Sequence, residues 1–161
     1  MIYSQDRVGE RGKVFRIYKF RTMKCQSKKR TAKFATQEQG RINRLGWFLR
    51  STRIDELPQI INVLKGEMSL VGPRPEQVDF YHSYEGAIPG YARRQIVRPG
   101  ITGLAQLKYG YTSDEAGTVR KLKWDVTYIN EQGFVLETAI IVQTCFFILG
   151  RLLRLRTHSH L

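Results

Sequence analysis

The sequence predicts a helix-rich α+β fold, on three observations. Residues 2–23 alternate apolar and polar side chains around a glycine-bearing turn, the pattern of a β-hairpin. From Ile42 to Leu64, and again from Thr118 onward, apolar residues return at three- and four-residue steps, which is helical spacing. Nowhere do strand and helix patterns alternate as they do in a parallel sheet. A chain of 161 residues is long enough for one domain with a real core and too short for two, so residues 1–161 are read as one domain.

The hairpin runs through Ile2-Tyr3-Ser4-Gln5, a turn at Gly9-Glu10-Arg11-Gly12, and a second strand from Lys13 to Met23. Alternation puts Phe15, Ile17, Lys19 and Arg21 on one face of that strand. Two apolar residues followed by two cations describe a strand leaving the core for a polar site, or else ordinary solvated cations at a strand end. Residues 26–40 lack apolar periodicity and predict a mobile basic loop. Ile42, Leu45, Phe48 and Leu49 then mark one helical face. Trp47 lies off that stripe and is read as core in preference to an interfacial anchor.

The central stretch is Arg44 to Ile60. Asp55 and Glu56 stand side by side among Arg44, Arg50 and Arg53. Pro58 is tolerated at the start of a helix, where its missing N–H would have no partner anyway. Ile54, Leu57, Ile61 and Leu64 give the apolar stripe of a short helix, and Gly66 suits its C-terminal cap. The acidic pair therefore falls at a helix mouth, where the dipole favours negative charge. The flanking arginines are expected to keep both carboxylates ionised. An ionised aspartate amid positive charge can attack an electrophile that is itself anionic, such as a phosphate ester. The bland alternative is ordinary capping chemistry in a first turn.

Two proline-braced turns follow. Gly72-Pro73-Arg74-Pro75 holds an arginine in extended backbone, so its planar fork is aimed before a phosphate arrives; the alternative is a rigid surface turn. Gly72 also permits close backbone approach. Arg98-Pro99-Gly100-Ile101-Thr102-Gly103, leading to Gln106, reads as a type II turn with backbone N–H groups free to meet an anion. Between them, residues 76–96 form a helix and loop, with His82 structural. Beyond Thr118 the pattern is helical. Asp125 there is either a supporting or metal-assisting carboxylate or a helix-surface acid. Phe134–Leu155 is interrupted by Glu137, Gln143 and Thr144 and ends in Arg151, Arg154 and Arg156. Its uninterrupted apolar core is short of the roughly 20 residues a bilayer span needs. It is read as an interfacial helix, in competition with a helix packed on the domain's own core. Residues 157–161, with His158 and His160, form a tail.

Net charge is +13, from 27 Lys and Arg against 14 Asp and Glu. That excess points to polyanions: nucleic acid, anionic lipid or phosphorylated small molecules. Two distant cysteines, Cys25 and Cys145, imply neither a disulfide framework nor a zinc site. The polar opening residues predict no signal peptide, and a reducing cytosolic setting is expected.

Five strings occur in one order: Gln5-Asp6-Arg7-Val8-Gly9, Lys19-Phe20-Arg21-Thr22-Met23, Asp55-Glu56-Leu57-Pro58-Gln59, Val71-Gly72-Pro73-Arg74-Pro75-Glu76 and Arg98-Pro99-Gly100-Ile101-Thr102-Gly103. Together they resemble the bacterial sugar transferase family, the monotopic polyprenyl-phosphate phosphoglycosyltransferases, from residue 2 to about residue 145. The resemblance implies transfer of a sugar 1-phosphate from a UDP-sugar to undecaprenyl phosphate, with release of UMP. Such a transfer begins exopolysaccharide, capsule or O-antigen synthesis on the cytoplasmic face of the bacterial inner membrane. It further implies that Asp55 is the nucleophile of a covalent aspartyl phosphosugar intermediate and that Glu56 holds Mg²⁺. Lys19, Arg21, Arg50 and Arg98 would contact phosphates, Pro73, Arg74 and Pro75 would lie near the nucleotide, and Gln106 and Asp125 would complete the substrate site.

Family members carry a hydrophobic re-entrant helix ahead of the first string. This chain starts near that string, so it is expected to be the catalytic region without its membrane segment, peripheral on an anionic membrane surface. Where the family usually has Asp in the late helical segment, this chain has Glu137. A homo-oligomer is compatible with these features. Two other functions were weighed. A non-catalytic nucleic-acid-binding module rests on net charge alone, without a binding motif, and no nucleic-acid partner is expected. A glycosidase needs carboxyl groups roughly 5–9.5 Å apart flanking one bond, which sequence neighbours rarely provide.

Overall fold

The computed structural model describes residues 1–23, 42–110 and 115–158. The predicted basic loop at 26–40 lies outside the described residues. Strands β1 (Ile2–Val8) and β2 (Val14–Phe20) pair antiparallel, from Ile2 opposite Phe20 to Val8 opposite Val14. β1 is longer than the alternation implied and β2 shorter. A single 3₁₀ turn at Glu10–Gly12 joins them, with Arg11 and Gly12 in the left-handed region. Phe15 and Ile17 pack into a small core with Met68, and Lys19, next along the same face, reaches Glu56 instead.

Helix α1 (Arg44–Ser51) is capped by the Asn43 side chain, which accepts the Gly46 N–H at 2.6 Å. A 3₁₀ helix at Ile54–Gln59 follows, with Pro58 inside it, and runs into α2 (Ile60–Leu64). The acidic pair thus opens a 3₁₀ turn, not the α-helix expected. Gly66, at φ +74°, closes the run as the sequence implied.

The apolar stripe of this region faces outward. Leu57, Ile60, Ile61 and Leu64 are exposed, and so are Leu45 and Phe48. Trp47, read as core, is 54% exposed. Asp55, Glu56, Gln59 and Asn62 are buried instead. The hairpin is the reason for Asn62: its side chain accepts the Tyr18 N–H at 3.2 Å and donates to the Arg16 carbonyl at 2.9 Å. Its polar side chain substitutes for a neighbouring strand, so the polar side of α2 is drawn inward.

A second correction concerns residues 98–103. Gly100–Thr102 forms strand β4, parallel to β3 (Ser69–Val71), where no parallel pairing was expected. The Gly100 N–H is spent on the Pro73 carbonyl at 2.9 Å, so it is not free to meet an anion. The joint is very close. A Cβ on Gly72 would sit 2.5 Å from the Arg98 carbonyl oxygen, and one on Gly100 would sit 2.1 Å from the Gly72 nitrogen.

Between the strands lie α3 (Val78–Ala87) and a 3₁₀ helix at Tyr91–Ile96; α4 (Leu104–Tyr109), α5 (Glu115–Glu131) and α6 (Phe134–His158) complete the chain. The apolar interior is divided. Val8, Tyr81, Ile88 and Tyr91 form one cluster, and Val71, Leu104, Tyr128 and Ile140 another. The last helix runs to His158, where a tail from residue 157 was expected. Its segment Phe134–Leu153 is long and apolar enough to cross a membrane by length and composition, which the interrupted sequence pattern understated. Ile140 and Thr144 bind one side of it to the domain, while Phe146 and Phe147 are exposed.

Candidate active site

Glu56 is the electrostatic centre of the molecule. It is 6% exposed, at the start of the 3₁₀ helix. Its Oε1 accepts from Lys19 Nζ at 3.1 Å and from Arg74 Nη2 at 2.5 Å. Its Oε2 accepts from Arg74 Nη1 at 3.3 Å and pairs with Arg53 Nη1 at 3.6 Å. Burial alone would raise its carboxyl pKa, but Arg74 and Lys19 outweigh that and hold it well below the ordinary carboxylate range. Arg53 sits at φ +60°, an uncommon conformation for a non-glycine residue, and this sharp entry lets the acidic pair turn inward.

Asp55 is different. Buried at 8% exposure, its carboxyl is pushed up by desolvation and by the neighbouring Glu56 charge, against Lys19, Arg50 and Arg74, which favour the ionised form. The flanking cations thus act very differently on the two carboxylates that were expected to be kept ionised. The cations are shared unequally: Lys19, Arg53 and Arg74 pair with Glu56, while Arg50 donates to Thr22. A desolvated carboxylate of raised basicity is the better nucleophile once charged, while Glu56 acts as a fixed counter-ion.

Arg50 donates from Nε to Thr22 Oγ1 at 2.8 Å, which ties α1 to the chain just beyond β2. Arg21, in the same stretch, is half-buried. Arg74 also reaches Gln106 Oε1 at 3.4 Å, so Gln106 joins the cluster from α4. Arg98 does not join it: this arginine is exposed and pairs with Glu10 of the hairpin turn at 3.5 Å. Asp125 is no surface acid. It is 2% exposed and accepts from Arg94 Nε at 2.8 Å. His82 lies on the surface of α3, 3.8 Å from Glu85.

Sequence reasoning missed Arg94, which is almost fully buried. Its guanidinium serves Asp125, Glu76 at 3.4 Å, the Tyr91 hydroxyl and the Arg74 carbonyl at 3.0 Å. The only available signal was its place beside Arg93 in a short charged run, which looks like any solvated face. A cleft lined by Arg74, Glu76, Arg94, Gln106, Lys121 and Asp125 opens beside it.

The metal expectation meets an obstacle. Both oxygens of Glu56 are engaged by three cations, and among the described residues no three His, Cys, Asp or Glu side chains come together. In this arrangement Glu56 does not fit as a ligand for resident Mg²⁺, because a divalent ion would have to displace a guanidinium or the Lys19 ammonium.

The model of one family, described as bacterial sugar transferase, matches residues 1–151. The chain belongs to the bacterial sugar transferase family. It is 46% identical over 144 residues to a UDP-N-acetylgalactosamine-undecaprenyl-phosphate N-acetylgalactosaminephosphotransferase of Aeromonas hydrophila, covering 89% of this chain and 34% of that protein. It is 40% identical over 148 residues to a UDP-glucose:undecaprenyl-phosphate glucose-1-phosphate transferase of Escherichia coli K12, covering 91% and 32%. A protein of that same name from Caulobacter vibrioides is 39% identical over 145 residues, covering 89% and 54%. The chain thus spans about a third of the length of the first two relatives. The family's strings converge in space: Lys19, Asp55, Glu56 and Arg74 come from three of them and meet at one buried point, and the first backs it through Arg7.

Proposed function

We propose that this chain carries the catalytic region of an enzyme that moves a sugar 1-phosphate from a UDP-sugar to undecaprenyl phosphate and releases UMP. The observation that carries the reading is Asp55: a buried carboxylate of raised basicity, within the field of Lys19, Arg50 and Arg74. An Asp55 carboxylate oxygen attacks the sugar-bearing phosphorus. The bond from that phosphorus to the bridging oxygen breaks, and UMP leaves with the bond's electrons. A phosphate oxygen of undecaprenyl phosphate then attacks the same phosphorus, breaks the aspartyl–phosphorus bond and restores the carboxylate. Lys19 and Arg74 stabilise the charge on the transferring group as fixed, preorganised donors. Glu56 keeps those two cations aimed when no phosphate is present.

The acceptor is a lipid, so the enzyme works at a bilayer surface, proposed as the cytoplasmic face. Support comes from the outward apolar side of α1 and α2 and from exposed Phe146 and Phe147 on α6, which packs beside α1. Helices of this kind lie in the interface with their apolar side immersed. A nucleic-acid-binding role draws no support from the site, where the cations turn inward onto a carboxylate.

Intact-mass measurement after incubation with a panel of UDP-sugars tests the chemistry. The wild type gains the mass of one sugar phosphate and releases UMP. Asp55→Asn shows neither, a loss on the order of 10³-fold or more in turnover. An adduct retained on Asp55→Asn, or turnover close to wild type, overturns the assignment.

A further inference from the structure

The Pro73–Glu76 segment is held in an unusual way. Its two prolines offer no N–H, so at those two positions the backbone can be fixed only through carbonyls. All four of the segment's carbonyls are taken, two by backbone N–H groups and two by arginine side chains. Pro73 accepts from the Gly100 N–H at 2.9 Å and Glu76 from the Val8 N–H at 3.0 Å. Between them, the Arg74 carbonyl accepts from Arg94 Nη2 at 3.0 Å and the Pro75 carbonyl from Arg7 Nη1 at 3.0 Å. Two guanidiniums thus grip successive carbonyls of the segment whose Arg74 side chain forks onto Glu56.

Among the described residues Arg7 has no ion-pair partner. Its side-chain donors go to a backbone carbonyl and to Gln5 Oε1 at 2.9 Å, and Gln5 in turn donates to Gln77 at 2.7 Å. Burial, reinforced by the nearby Arg74 charge, pushes the Arg7 guanidinium down to about 10. A cation taken out of water beside another cation, with Glu76 and Glu56 offsetting this only in part, costs stability, and such costs gather where function requires them. Arg94 is oriented instead by Asp125 on α5, so the opposite side of the segment is locked to a helix.

We infer that Arg7 and Arg94 are positioning residues that aim the Arg74 side chain at a diphosphate bound beside Glu56. The inference rests on the proposed phosphate-handling role of this site, and the experiment separates the two. Dissociation constants for inorganic pyrophosphate and for UDP are measured by calorimetry on wild type, Arg7→Lys, Arg94→Lys, Arg74→Ala and the two double variants. Lysine keeps the charge but cannot span the partners that either arginine's fork engages.

Arg74→Ala weakens pyrophosphate about thirtyfold, and each lysine variant about fivefold to tenfold. In the Arg74→Ala background the lysine substitutions cost less than twofold more, because nothing remains to be aimed. Additive losses overturn the inference, as does unchanged affinity accompanied only by a lower melting temperature. Should Arg94→Lys fail to fold, Arg7→Lys carries the cycle by itself. Pyrophosphate binding with the predicted non-additivity, but without UDP binding or UMP release, would sink the transferase reading and leave the positioning role standing. A wild type that binds neither ligand sinks both.

Discussion

Along residues 54–64 one short stretch serves two regions with opposite rules of burial. Its inner side carries Asp55, Glu56, Gln59 and Asn62, all out of solvent, and its outer side carries Leu57, Ile60, Ile61 and Leu64, all in it. A water-soluble helix of the same composition would be turned the other way round. The inner side is stabilised by cations brought from the hairpin and from the Pro73–Glu76 segment. Among the described residues, none covers the outer side. Under the proposed function each arrangement makes sense of the other: a buried charge cluster to handle phosphate, beneath an apolar surface to meet lipid.

The largest break in this comparison is Glu56→Gln. One carboxylate neutralises Lys19, Arg53 and Arg74, and removing it leaves three cations facing one another. Losing one partner of a buried pair costs about 3–5 kcal/mol, and urea denaturation at pH 7 should show a loss toward the low end, roughly 3 kcal/mol, since Gln still accepts a hydrogen bond. The pH dependence has a definite sign. The folded-state pKa of Glu56 lies well below its ordinary value of 4.5, so its contribution is complete above that value and lost as pH falls through the depressed one. Wild type therefore loses stability on acidification below about pH 4.5, and Glu56→Gln lacks this part of the acid limb. Equal acid sensitivity in the two proteins would show that Glu56 is not the anchor of the cluster.

How much of this could be read from the sequence follows from the same division. Two-residue alternation fixed Phe15, Ile17 and Lys19 on one face, and the face does run from core to site. The acidic pair, Arg74 and Gln106 were also recognisable, because prolines and adjacent charges punctuate their segments. Helical spacing at Leu57, Ile61 and Leu64 revealed a stripe but not its direction, since periodicity is blind to whether the solvent on that side is water, lipid or protein. Arg94 was invisible because its partners, Asp125, Glu76 and the Arg74 carbonyl, are up to 31 residues away. The β3–β4 pairing escaped for a related reason: two three-residue strands have no period to detect, and glycine at both contact points reads as a turn.

A smaller effect is expected on the outer side. Trp47→Ser and Leu64→Ser each remove apolar surface that a bilayer would cover, worth about 1 kcal/mol apiece for partial immersion. Sedimentation with vesicles containing anionic lipid should show affinity falling about fivefold per substitution, with pyrophosphate affinity within twofold of wild type. Binding that responds only to salt and not to these substitutions would make the association purely electrostatic and leave the apolar side without a role.

The smallest effect sharpens the comparison where the two regions join. The hydroxyl of Tyr128, 3% exposed on α5, shares its one proton between the Val71 carbonyl at 3.2 Å and Glu137 on α6 at 3.1 Å, so it links the strand behind the site to the apolar helix. Burial and the Glu137 charge push its pKa up, so it remains a donor throughout the range in which the protein is folded. Tyr128→Phe keeps the ring and removes the link, at a cost of about 1 kcal/mol in thermal or urea denaturation. Glu137→Asp withdraws the carboxylate by one methylene and leaves the bond to Val71, so its cost should be about half as large. If the two regions are joined mechanically only by packing, both variants bind pyrophosphate as wild type does. A loss of more than about threefold in either would mean that the tilt of α6 is transmitted through Tyr128 to Val71 and on to the segment that carries Arg74.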